Sequence, residues 1–132
     1  MPVTYQIDAN TKTVRTTCIG PVMLEDVIEH FHTLQQDPSC PSHLDVLLDV
    51  SGITSLPEKH ELRTVTRTIA EISGRVTFGD CAIVASRDAV FGMMRMFEVF
   101  AQQYFRLTRV FRTVSEAEAW LAQQQLQANP HP

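Results

Sequence analysis

The sequence predicts an α/β protein: a mixed five-stranded sheet with about four helices, in the order β-β-α-β-α-β-α-β-α. Three observations carry that reading. Two short alternating segments open the chain. Two nearly continuous apolar runs, DVLLDV (45–50) and CAIVAS (81–86), are each too short for a buried helix. Between the single strands lie segments whose apolar residues recur at three and four, the spacing of one helix face.

VTYQID (3–8) alternates, turn formers follow at 8–12, and VRTTCIG (14–20) returns, so the pair is expected as an antiparallel hairpin. Gly20-Pro21 ends it. Leu24, Val27, Ile28, Phe31 and Leu34 form a helical stripe that stops at Asp37-Pro38, because a proline ring disfavours helical geometry in the residue before it. DVLLDV is expected as a central strand covered on both faces. Leu62, Val65, Ile69 and Ile72 give the next helix, within 57–72, its apolar side. CAIVAS is the following strand, and Asp88 caps or opens a helix reaching Phe105, where its carboxylate can accept orphan amide protons. LTRVFR (107–112) is the last strand. Ser115 and Glu118 have the capping-box spacing for the closing helix, with Ala119, Trp120 and Leu126 on its inner side. Single strands separated by helices require crossovers and a largely parallel sheet. One domain over 1–128 and a disordered tail over 129–132 are expected.

The totals exclude several function classes. With 132 residues, a formal charge of −4 and eleven scattered basic residues, the chain offers no basic stripe for nucleic acid. No apolar run is long enough for stable membrane insertion, and the amino terminus lacks the charge and apolar core of a signal peptide. Cys18, Cys40 and Cys81 are odd in number and widely spaced, so free thiols in the cytoplasm are expected.

Catalytic signatures are missing. There is no phosphate-binding glycine loop, no nucleophile elbow around Ser51, and no paired ligand spacing for zinc. His30 and His32 stand two apart on a helix and point in different directions, His30 on the polar flank as a solvated side chain. No cofactor, metal or catalytic residue is assigned. Asp49 and Asp88 follow consecutive strands, where ligand crevices form in parallel sheets, but a lone carboxylate needs a positioned partner. An enzyme using either is the least supported reading.

The segment from Asp88 to Phe105 is more apolar than one buried stripe requires. Phe91, Met93, Met94, Met96, Phe97 and Phe100 make an adaptable surface suited to a subunit interface, an apolar ligand cleft or core packing. Gly92 permits close approach of a neighbouring backbone, and Arg95 can pair with Glu98 or with a carboxylate across an interface.

The element order, with DVLLDVSGIT at its centre, resembles the STAS or SpoIIAA-like domain of anti-sigma-factor antagonists. VTYQID, VRTTCIGPVMLEDV, QQDPSCPSHLDVLLDVSG, CAIVASRDAVFGMMRMFEVF and VFRTVSEAEAWL carry the likeness, which extends over nearly the whole chain to small stand-alone bacterial SpoIIAA-like proteins of the STAS/SEC14-related superfamily. The resemblance implies a loop edge that binds partners and, in the antagonists, a serine phosphorylated in an Asp-Ser-Ser-Gly helix start. Asp49, Val50, Ser51 and Gly52 match the approach to that site, but Pro57, Glu58, Lys59 and His60 stand where the switch would be, and the phosphorylatable serine is missing. Ser51, Thr54 and Ser55 remain as loop hydroxyls, and Glu58 carries less charge than a phosphate.

The leading expectation is a non-enzymatic interaction or regulatory module, a homodimer or partner-binding domain. Its candidate surface comprises Asp49, Ser51, Thr54, Glu58, Asp88, Phe91, Met94, Arg95 and Phe97. The alternative is a carrier or sensor holding a small apolar or lipid-like ligand between the last two helices and the sheet.

Overall fold

A computed structural model of the chain describes residues 2–73 and 76–128. Strands β1 (Val3–Asp8), β2 (Thr13–Gly20), β3 (His43–Ile53), β4 (Thr77–Val84) and β5 (Leu107–Phe111) form one sheet in the order β1-β2-β3-β4-β5. The first pair is antiparallel and every later pair is parallel. Helices α1 (Leu24–Gln36), α2 (Lys59–Ile72), α3 (Asp88–Ala101) and α4 (Val114–Ala128) complete the predicted order. This is the SpoIIAA-like fold.

The consecutive strand order fixes where the helices go. Crossovers of one hand between neighbouring strands, always stepping the same way, place every connecting helix on the same face. Leu34 of α1, Leu62 and Ile69 of α2, and Met94 and Phe97 of α3 accordingly share one core with Val14, Leu44, Val50 and Ile83 of the sheet. Helix α4 follows the last strand and covers the opposite face alone, through Ala117, Trp120 and Leu121 against Leu47, Ala82 and Val84. The central strand therefore reads as continuously apolar because both of its faces are covered.

Two bulges shape the sheet. Between Thr17 and Ile19, β3 carries one more residue than β2, spanning Asp49 to Gly52. The Asp49 carboxylate closes this bulge by accepting the Ser51 N–H at 2.9 Å and the Ser51 hydroxyl at 2.5 Å. Near the other end, β4 carries an extra residue opposite Leu44 and Val46. There Asp45 Oδ1 accepts the Asp80 N–H at 2.8 Å and lies where a side chain on Gly79 would stand, 2.2 Å from an added Cβ. Only glycine fits at that position.

Several expected details shift. The closing helix is capped two residues earlier than its sequence suggests: the Thr113 hydroxyl accepts the Glu116 N–H at 3.2 Å and donates to the Glu116 carboxylate at 3.0 Å. Its inner face is Ala117, Trp120 and Leu121, leaving Ala119 and Leu126 in solvent. Helix α3 ends at Ala101, short of Phe105, which is buried after the helix and rests against Phe78 with ring centroids 5.2 Å apart. The expected tail at 129–132 lies outside the described residues. Cys18, Cys40 and Cys81 are all free thiols.

Candidate functional site: an apolar cavity under the first two helices

Helices α1 and α2 do not close tightly on the sheet. Between them and the inner face of β2 and β3 lies a cavity of about 380 Å³. Its floor is Val14, Thr16 and Cys18 of β2 with Val46, Leu48 and Val50 of β3, the alternate residues that point to this face. Val27, His30 and Phe31 of α1 and Leu62, Val65 and Ile69 of α2 form the walls, and Met94 and Phe97 of α3 contribute at the far side. The cause is visible in the strand sequence: β2 presents the short Val14, Thr16 and Cys18 where a tightly filled core would carry larger groups.

The mouth is marked by the lining residues that reach solvent, Met23 (60% exposed), Leu56 (51%) and Glu58. Met23 and Glu58 are the N-caps of α1 and α2. Each is held by the same device: the carboxylate three residues into the helix, Asp26 or Glu61, accepts the cap N–H at 2.9 Å. The two loops are clipped together by Ser55, whose hydroxyl accepts the Val22 N–H at 3.1 Å and donates to the Val22 carbonyl at 3.2 Å. The Thr54 N–H adds a bond to the Gly20 carbonyl at 2.9 Å. The stretch after β3 is thus the rim of an opening, and the Ser55 hydroxyl with the Thr54 N–H holds that rim in shape.

The cavity contains one buried polar pair. His30, placed on the solvated flank of α1 by its sequence position, is instead buried, with Nε2 3.2 Å from the Thr16 hydroxyl. Its ring meets Tyr5 edge-on, centroids 5.3 Å apart, and Phe31 at 5.4 Å. Strand β1, antiparallel at the sheet edge, brings Tyr5 over α1, and no local periodicity reveals that cover. Burial holds the imidazole near pKa 4, below its ordinary value, so the ring is neutral at neutral pH. Burial likewise raises Cys18 to about 11, with the Asp49 charge adding to the shift, so the thiol keeps its proton. Among the described residues no lysine or arginine lines the cavity.

The residues singled out from the sequence divide into separate groups. Glu58, Met94 and Phe97 belong to the cavity. Asp49 and Ser51 pair with each other in the β3 bulge, and Thr54 lies exposed between β3 and the rim. Asp88 and Phe91 instead surround Arg112, which binds the Asp88 carboxylate at 2.8 Å and stacks over the Phe91 ring at 4.0 Å. Arg95 is exposed, 3.9 Å from Glu98. The cavity therefore sits under the first two helices rather than the last two, and Phe91 is not part of it. Thr16, His30, Met23 and Leu56 are the residues that sequence reasoning missed. An amphiphilic His–Thr pair across two elements has no linear signature.

Comparison with protein-family models, with curated proteins and with solved structures finds no match. What the site does rests on its own geometry. Among the described residues no three His, Cys, Asp or Glu side chains converge as a metal site, and no helix is long and apolar enough to cross a membrane.

Proposed function

We propose that this protein is a non-enzymatic binding module, a carrier or sensor that holds a small apolar molecule between α1, α2 and the sheet. One observation carries the reading: the 380 Å³ apolar cavity with an exposed rim. Domain interiors hold few voids larger than a water molecule. The volume falls within the range of ligand pockets. The three free thiols favour a reducing compartment, so the cytoplasm is the proposed location.

The test is saturable binding of a neutral environment-sensitive fluorophore, N-phenylnaphthylamine, to the full chain. The wild type is expected to bind with a blue-shifted emission. Val46→Phe combined with Leu48→Phe, which fills the floor, is expected to weaken binding at least about tenfold while keeping the circular dichroism of the wild type. Absence of saturable binding by the wild type sinks the reading.

A homodimer through α3, or another protein partner on that face, is the second reading. One feature favours it: Val99 is 62% exposed beside half-buried Met96 and Phe100. Size-exclusion chromatography with light scattering is expected to give twice the 14.9 kDa chain mass, falling to one chain for Val99→Glu. A wild-type monomer at tens of micromolar overturns this reading and leaves the cavity unaffected.

A further inference from the structure

We infer that the cavity selects a small uncharged amphiphile whose single hydroxyl or carbonyl group is read by the Thr16–His30 pair. The inference rests on the apolar-ligand reading above and names the class of ligand.

Size comes first. A cavity of 380 Å³ lies in the range of pockets that hold small organic ligands. Polarity comes next. Thr16 is 2% and His30 9% exposed, and both line the cavity. They share one hydrogen bond, and among the described residues neither side chain makes another. In one tautomer the Thr16 hydroxyl donates to Nε2 and the ring retains its Nδ1–H. In the other, Nε2–H donates to Thr16 and the hydroxyl proton is left over. Either way the pair has one donor more than it uses. A ligand oxygen satisfies it.

Charge then narrows the class. An anionic head inside the cavity would meet no cation among the described lining residues and would pass Glu58 and Glu61 at the rim. An unpaired ion loses more on desolvation than one neutral hydrogen bond returns. Nor does the ring supply a cation, because burial keeps His30 unprotonated at neutral pH. Fatty carboxylates and phosphate heads are disfavoured for the same reason, and neutral alcohols, ketones and esters remain.

Competition against bound N-phenylnaphthylamine at about pH 8, where a carboxylate is ionised, tests the selection. Decanol is expected to displace the fluorophore at a concentration at least about tenfold below decanoate. Thr16→Val should weaken decanol about tenfold more than it weakens the fluorophore, whereas Thr16→Ser, which keeps the hydroxyl, should retain decanol affinity. Equal competition by decanol and decanoate, or a Thr16→Ser variant that loses decanol as Thr16→Val does, overturns the selection and leaves the cavity a binding site. Failure of the wild type to bind the fluorophore overturns the binding reading and the selection with it.

Discussion

Phe97→Ala is expected to destabilise the protein by about 3–5 kcal/mol, the cost of truncating a buried aromatic ring. Phe97 is 5% exposed and joins α3 to the shared core, and it also faces the cavity. Removing the ring deletes its burial and enlarges a space that the neighbouring helices already fail to fill. Collapse around it is hindered because α1 and α2 are held by their caps and by the Ser55 clip. Urea denaturation measures the change as a lower midpoint at similar slope. Arg95→Gln, two residues before, should change stability by less than about 0.5 kcal/mol, because its side chain is in solvent. A similar small effect at Phe97 would mean that the inner face of α3 is misassigned. The contrast separates the two faces of a helix whose sequence is apolar nearly all round.

Stability is expected to fall by about 3 kcal/mol as the pH drops from 6.5 to 4, from His30 alone. Burial depresses the folded-state pKa to about 4 from the ordinary 6.5. Across that interval the unfolded chain binds a proton that the folded protein does not. The contribution is complete above the unfolded value and is lost progressively as pH falls through 6.5 toward the folded one. Asp37 acts in the same direction at lower pH, its carboxyl held below the usual value by hydrogen bonds from the Ser39 hydroxyl and from Tyr5. His30→Gln removes the titration while keeping a polar group beside Thr16. Urea midpoints measured across the interval should slope less in His30→Gln than in the wild type. Parallel curves would show that His30 is not the buried neutral ring described here.

Much of the fold is legible in the chain because it is written in local patterns. The alternation of β1 and β2, the three-and-four spacing of α1 and α2, and the short apolar runs of β3 and β4 each specify an element without reference to the rest. The consecutive βα order then restricts the sheet, since crossovers of fixed hand leave few arrangements. LPEK at 56–59 was readable as the replacement of a phosphorylatable helix start, and the structure places Leu56 and Glu58 on the cavity rim. The Met-rich helix was legible as over-apolar, but its spacing alone did not reveal which residues face the core.

The sequence by itself determined the element order, the double cover of the central strand and the missing phosphorylation motif, because backbone preference and hydrophobic period act within a few residues of one another. Only the tertiary structure decided that Thr16 on β2 and His30 on α1 meet in an apolar cavity, that β1 covers them with Tyr5, and that Met23 and Leu56 rim one opening. A cavity is a deficit of volume among side chains from several elements. It becomes visible when the strands and helices that surround it are brought together.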